Sequence, residues 1–241
     1  DGTVALVTGA SSGIGPATAR ALAGEAAAVA LAARRVDRLD ELAGEISGGG
    51  GRAIVVPADV TEEAQARQAV ARTVDELGRL DTLVNNAGVM LLGPIVDAAL
   101  DEWQRMVELN LVGLLYCTHA ALPHLLDAAG GGPREVADVV NVSSVAGRVA
   151  RNGSGVYNAT KHGVGAFSES LRQEVAARHV RVSLVEPGAT ATELGGHNRP
   201  EIREQMAQRF AGVERLQAGD IADTIGFIAT RPRRMAVNEV L

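Results

Sequence analysis

Short apolar runs rich in Val, Ala and Leu alternate along the chain with longer stretches in which apolar residues recur at helical spacing. TVALVT (3–8), AVALAA (28–33), RAIVVPA (52–58), DTLVNN (81–86), ADVVNVS (137–143), VRVSLVEP (180–187) and AVNEVL (236–241) read as strands. Several lack strict in–out alternation, the mark of strands covered on both faces. Helical periodicity fills 14–24, 36–46, 62–78, 101–128, 157–178 and 218–230. Strands joined by helix-length crossovers run parallel, so the pattern predicts an α/β fold with a doubly wound, seven-stranded parallel sheet. GGGG at 48–51 and GGG at 130–132 fall between helix and strand and are expected to be surface loops. With no internal repeat and no linker, residues 1–241 read as one domain.

Composition narrows the function classes. The 241 residues are long enough to bury a proper core, and with aromatics at 2 % that core must be built from Ala, Val, Leu and Ile. A formal net charge of −6 without a basic helix face argues against a nucleic-acid partner. The single cysteine, Cys117, excludes an internal disulfide or a cysteine-built metal cluster, and it reads as packing in an apolar helix. His119 and His124 are spaced off any common helical face and have no acids nearby, so no metal site is expected. No uninterrupted apolar run long enough to span a membrane and no signal peptide are visible, which reads as a cytoplasmic protein.

Chemistry first appears where the first strand meets the first helix. TGASSGIGPATARAL (8–22) places Gly9, Gly13 and Gly15 in a TGxxxGxG pattern. Glycines there let the backbone approach a pyrophosphate, which sits on the free N–H groups and positive dipole of the helix start. Pro16 suits a first helical turn, where its missing N–H is not needed. An NAD site of this architecture carries an acid at the end of the second strand. Here Arg34 and Arg35 follow Ala33 instead. Guanidinium forks match phosphate oxygens, so the pair points to the 2′-phosphate of NADP. Asp59 after the third strand, and Asn85, Asn86, Ala87 and Gly88 after the fourth, fall at the strand ends where such sheets bind ligands.

The second chemical signal is GVYNATKHG (155–163). The chain has 23 Lys plus Arg, yet Lys161 is its only lysine, and Tyr157 is one of just two tyrosines. Four residues apart on a helix, the two side chains share a face. An ammonium about 5 Å from a phenol, at an effective dielectric near 20, stabilises the phenolate by roughly 3 kcal/mol, or about two pK units. That predicts a lowered Tyr157 pKa suited to general acid–base work. Ser144, at the end of the fifth strand, lies at the same sheet edge, where its hydroxyl can favour charge developing on a carbonyl oxygen.

TGASSGIG (8–15), NNAG (85–88), NVSS (141–144), YNATK (157–161) and PGATAT (187–192) together resemble the short-chain dehydrogenase/reductase family, in its compact single-domain Rossmann branch. The resemblance covers essentially the whole chain. It implies a catalytic tetrad of Asn110, Ser144, Tyr157 and Lys161. In it Tyr157 gives the proton to the carbonyl, Lys161 holds the nicotinamide ribose, Ser144 orients the substrate oxygen, and Asn110 holds a relay water. It implies cofactor contacts from Gly9, Ser11, Ser12, Gly13, Ile14, Gly15, Arg34, Arg35, Asp59 (toward the adenine amino group), Val60, Asn86, Ala87, Gly88, Tyr157, Lys161, Pro187, Gly188, Thr190 and Thr192 (toward the carboxamide). The implied activity is NADP(H)-dependent reduction of an aldehyde or ketone, or the reverse. The implied partners are a small-molecule carbonyl or alcohol and further copies of the chain in a tetramer. NAGVMLLGP (86–94), SSVAGRV (143–149), FSESLRQEV (167–175) and EPGATATEL (186–194) look most like NADP-dependent reductases of bacterial secondary metabolism.

Two departures stand out. Ser12 occupies a place where NADP-binding members often carry Lys or Arg, which leaves the 2′-phosphate to Arg34 and Arg35. Ala26 stands where a glycine usually ends the first helix, and a non-glycine in a left-handed cap costs about 1 kcal/mol, so that helix is expected to end differently. Residues 193–216 resemble the variable substrate lid, and Arg148 and Arg151 flank the catalytic loop, where an acidic substrate could meet them. Trp103 reads as packing and His162 as a helix-surface residue. Two other functions compete. A catalytically silent nucleotide sensor would not need Tyr157 with Lys161. An epimerase or dehydratase of the wider superfamily usually shows TGxxGxxG and a longer C-terminal region.

Overall fold

The computed structural model describes residues 2–96 and 98–241. Seven strands form a sheet in the order β3-β2-β1-β4-β5-β6-β7, every neighbouring pair parallel. They are β1 (Val4–Thr8), β2 (Ala28–Ala33), β3 (Ala53–Pro57), β4 (Thr82–Asn85), β5 (Ala137–Val142), β6 (Val180–Val185) and β7 (Glu239–Val240). The chain first winds outward from β1 to β3 and then returns to β4 on the other side. The break in direction between β1 and β4 opens a crevice at the carboxyl ends of the strands.

Among the described residues, eight α-helices connect them: α1 (Ile14–Gly24), α2 (Val36–Gly48), α3 (Glu63–Leu77), α4 (Leu100–Val107), α5 (Gly113–Gly131), α6 (Gly155–Val175), α7 (Pro200–Arg209) and α8 (Ala218–Ala229). Alternate residues of the strands feed two separate cores, one on each face. On one face Val7, Leu31 and Val140 pack with Leu22 of α1, Leu39 of α2 and Ile225 of α8. On the other, Leu6, Leu83 and Val139 meet Val70 of α3, Leu125 of α5 and Leu171 of α6. The expected composition of the core holds: its largest fully buried apolar side chains are Leu, Ile, Val and Met, and Tyr157 is its one buried aromatic among the described residues.

The stretch expected as one helix over 101–128 is instead α4, a π-helical turn over Glu108–Val112, and α5, continuous from Leu100 to Gly131. By length and hydropathy this 32-residue segment could cross a membrane. Its Leu114, Cys117, Ala121, Leu125 and Ala128 are buried, as in a core helix. Burial pushes the Cys117 thiol up to about 12, consistent with a packing role. Neither glycine run is wholly a loop: α2 reaches Gly48 and α5 reaches Gly131. The end of α1 also corrects the sequence expectation. Ala26 has φ 63°, so the left-handed turn is kept without its glycine. The tight exit is enforced by backbone bonds from Ala26 N–H to Ala23 O at 3.0 Å and from Ala27 N–H to Leu22 O at 3.1 Å.

At the opposite end of the sheet from the crevice, buried charges are paired. Asp138 accepts from Arg181 Nε at 2.7 Å and Nη2 at 2.9 Å. Asp81 accepts from Arg79 and also from the backbone N–H of Val4 at 2.8 Å. These bonds tie β5 to β6 and the start of β4 to β1, where no ligand is expected.

Candidate active site

The crevice is a cavity of about 820 Å³ running from the glycine loop to Tyr157 and beyond it to the 193–216 segment. The residues singled out for cofactor or catalysis line it, except Gly15, Asn110 and Asn85, whose buried amide donates to Thr118 and Asn141 instead. Those three lie behind its wall.

The glycine loop is held open by packing that leaves no room for side chains. Gly9 has φ 65°, and a Cβ there would lie 2.8 Å from Ala87 Cα. A Cβ on Gly15 would lie 2.2 Å from Gly9 O, which explains why Gly15 supports the loop from inside rather than facing the cavity. Asn86 braces the same turn, its Nδ2 donating to Thr8 O at 3.0 Å and Gly9 O at 3.2 Å. Thr8 Oγ1 accepts from the N–H groups of Asn86 and Ala87, both at 3.1 Å. The start of α1 therefore presents its free N–H groups to a cradle whose depth is set by absent side chains, and the cradle fits a diphosphate.

The two arginines after β2 separate. Arg34 turns to Asp59, Nη1 to Oδ2 at 3.4 Å. Arg35 lies against the glycine loop, with Nε 3.2 Å from Ser11 Oγ and Nη2 3.3 Å from Ser11 O. Asp59 is less free to receive an adenine than the sequence suggested. Its Oδ1 already accepts from Thr61 N–H at 3.1 Å and Thr61 Oγ1 at 2.8 Å. Burial works to raise the Asp59 pKa, but those bonds and Arg34 outweigh it together and hold the carboxyl below its ordinary value.

At the other end Tyr157 is buried in a small apolar cluster with Val89, Leu91 and Met106, and Trp103 packs against it. Burial raises the phenol pKa, while a hydrogen bond from the Ser144 hydroxyl opposes the rise. The lowering expected at Tyr157 is thus not found: desolvation of the phenolate dominates, and the Ser144 bond is what opposes it. Lys161 Nζ sits 5.9 Å from the Tyr157 ring centroid and donates to Val142 O at 2.9 Å. Lys161 is 7 % exposed, and burial pulls its pKa down from 10.5 to about 8. Ser144 Oγ accepts from Ala146 N–H at 3.1 Å, which fixes the hydroxyl beside Tyr157.

Asn110 reaches the site from the π-helical turn, and its side chain is fully engaged. Oδ1 accepts from Val89 N–H at 2.7 Å, and Nδ2 donates to Val89 O at 2.9 Å and Thr160 Oγ1 at 3.2 Å. The relay water expected on Asn110 would therefore have to sit on its backbone carbonyl.

Three positioning residues escaped the sequence. Asn158 clamps the 146–154 loop, donating to Ala146 O at 2.7 Å and Val149 O at 2.9 Å and accepting from Ser154 Oγ at 2.6 Å. Its place directly after Tyr157 was the one signal the sequence held. Asn198 Oδ1 accepts from Leu92 N–H at 2.6 Å, and Arg199 Nε lies 3.5 Å from Glu102, so the 193–216 segment is fastened over the site. Nothing in GGHNRP announces those contacts. Arg148 is consumed by Glu186, at 2.8 Å, and Glu239, which removes it from any substrate, whereas Arg151 lines the cavity.

Known proteins resemble this chain in sequence and fold. The profile of the family described as short chain dehydrogenase matches residues 3–203. A glycine betaine reductase of Emericella nidulans is 40 % identical over 240 residues; the match takes in 100 % of this chain but 18 % of that protein's length. An uncharacterized oxidoreductase of Methylorubrum extorquens is 38 % identical over 100 % of this chain and 96 % of its own. Among solved structures, the closed form of serine dehydrogenase complexed with NADP+ superposes with a TM-score of 0.89 at 30 % identity, over 99 % of this chain and 93 % of that one. An alcohol dehydrogenase of Thermococcus sibiricus complexed with 5-hydroxy-NADP superposes with a TM-score of 0.86 at 28 % identity, over 99 % and 94 %.

Proposed function

This chain belongs to the short-chain dehydrogenase family and is an oxidoreductase, and from that premise we propose that it reduces an aldehyde or ketone with NADPH, or runs the reverse oxidation. The observation that carries the proposal is that one cavity holds both a diphosphate cradle and the Ser144–Tyr157–Lys161 group. The NADP complexes of the superposed structures support the choice of cofactor, as do Arg34 and Arg35 at the end of β2.

The glycine loop and the start of α1 would hold the cofactor's diphosphate, with Gly88, Pro187, Gly188, Thr190 and Thr192 along the path to the nicotinamide. The cofactor supplies hydride to the carbonyl carbon when bound. The protein's own part is proton management. Tyr157, kept protonated by its burial, is the donor to the carbonyl oxygen. Ser144, already aimed at the phenol oxygen, gives a second hydrogen bond to the oxygen as it gains negative charge. Lys161 holds ribose hydroxyls and stabilises the phenolate left behind. The hydrophobic wall of Val89, Leu91 and Met106 excludes water from the phenol.

A silent sensor remains the weaker reading, since it would not need a buried lysine whose burial depresses its pKa. In this proposal the chain is one domain and residues 193–216 are the substrate lid. It works in the cytoplasm as a homotetramer. The likeness of NAGVMLLGP, SSVAGRV, FSESLRQEV and EPGATATEL to NADP-dependent reductases of the clavulanic acid dehydrogenase type is what suggests a place in bacterial secondary metabolism. The test is a panel of aldehydes and ketones assayed by loss of NADPH absorbance. Turnover of at least one compound, faster with NADPH than with NADH, is expected. NADH preferred throughout, or no carbonyl reduced at all, would overturn the proposal.

A further inference from the structure

The arrangement around Arg35 assigns more than the sequence did. Arg35 Nη1 lies 3.1 Å from Glu193 Oε2, and Arg38, one turn further along α2, reaches within 4.0 Å of the other oxygen, Oε1. One carboxylate is held between two guanidiniums at the start of α2, beside the glycine loop. Glu193 does not come from that region. It follows Thr192 and opens the 193–216 segment, whose far side is fastened by Asn198 and Arg199. Arg34, meanwhile, faces Asp59.

We infer that the Glu193 carboxylate occupies the 2′-phosphate subsite of NADP(H), that Arg35 and Arg38 form this subsite, and that Glu193 opposes the phosphate for it. The inference rests on the NADP reading above. Carboxylate and phosphate oxygens make the same charge-assisted bonds to a guanidinium fork. They cannot share it, because two anions in one subsite repel. A phosphate monoester carries about −1.5 to −2 charges near neutral pH against one for the carboxylate, so it displaces Glu193. The contact it must break is weak, since the Arg35 and Glu193 side chains are 42 % and 48 % exposed. Displacement releases the nucleotide-side tether of the 193–216 segment and leaves the Asn198 tether in place. An NAD-type cofactor, lacking the phosphate, leaves Glu193 where it is. Glu193 is therefore a specificity-determining residue that moderates the preference for NADP(H).

Calorimetric titration of the full chain with 2′,5′-ADP and with 5′-AMP isolates the phosphate without any turnover. Glu193→Gln is expected to tighten 2′,5′-ADP by about two- to fivefold, the size of an exposed ion pair, and to leave 5′-AMP unchanged. Arg38→Ala is expected to weaken 2′,5′-ADP by about fivefold or more, again without effect on 5′-AMP. Unchanged or weaker 2′,5′-ADP binding by Glu193→Gln would overturn the inference, as would an equal effect of Arg38→Ala on both ligands. If the unaltered protein itself fails to prefer 2′,5′-ADP over 5′-AMP, the NADP reading falls with it. If that preference stands and the variants do not shift it, only the roles of Glu193 and Arg38 fall.

Discussion

Replacing Lys161 with Met is expected to make the protein more stable while abolishing its activity. The ammonium is buried, its hydrogen-bond partner is Val142 O at 2.9 Å, and no carboxylate lies within ion-pair distance among the described residues. Burial lowers its pKa from 10.5 to about 8. At roughly 1.4 kcal/mol per pK unit, holding the charge there costs on the order of 3 kcal/mol of folding free energy. Met fills similar volume without a charge, but it leaves the Val142 carbonyl short of a donor, which costs about 1 kcal/mol. The balance is a gain of about 2 kcal/mol, or roughly 4–8 °C in Tm for a chain of this size. The pH dependence has a definite sign. The folded pKa lies below the unfolded one, so between about 8 and 10.5 the unfolded chain binds more protons and the unaltered protein gains stability as pH rises. The advantage of Lys161→Met should be full below pH 8 and fade toward 10.5. Denaturant melts of both proteins across that range read it directly. A Met variant less stable at neutral pH, or an advantage that does not change with pH, would refute the reasoning.

Lys161→Arg keeps a cation but is expected to cut turnover at least about a hundredfold, or 2.7 kcal/mol, and to weaken cofactor binding, because a planar fork cannot reproduce three rotatable donors in the same space. Near-normal steady-state kinetics would contradict this. Ala26→Gly relieves a left-handed alanine at φ 63° and should raise stability by about 0.5–1 kcal/mol, visible as a higher Tm; an unchanged or lower Tm would count against strain there. Leu122 and Leu126 of α5, and Phe167 of α6, are only partly buried, so sedimentation is expected to show a tetramer, and a stable monomer at micromolar concentration would contradict it.

The sheet was legible because its strands are buried on both faces and separated by amphipathic helices, a pattern that survives without any alignment. β7 shrank from the expected 236–241 to Glu239–Val240, the two residues that pair with Leu184 and Val185 of β6. Helix α7 was missed for a physical reason: PEIREQMAQR is polar nearly all round, and only Ile202 is buried. The π-helical turn leaves no mark in periodicity, although it is what carries Asn110 to Val89. Residue spacing brought Tyr157, Lys161 and Ser144 together correctly, but it gave the wrong sign for the Tyr157 pKa. Spacing counts nearby charge, whereas desolvation depends on Val89, Leu91 and Met106, which arrive from elsewhere in the chain. The Glu193 contact likewise joins residues 158 positions apart, and sequence distance hides it.

Tyr157→Phe tests the proton-donor claim most directly. Phe keeps the ring among Val89, Leu91 and Met106 and removes only the hydroxyl that faces Ser144. NADPH affinity, measured by fluorescence titration, should stay within about twofold, while turnover of the best carbonyl substrate should fall by about a thousandfold or more, the usual scale of losing a general acid. A Phe variant that binds NADPH normally and still reduces the carbonyl at close to the original rate would contradict it.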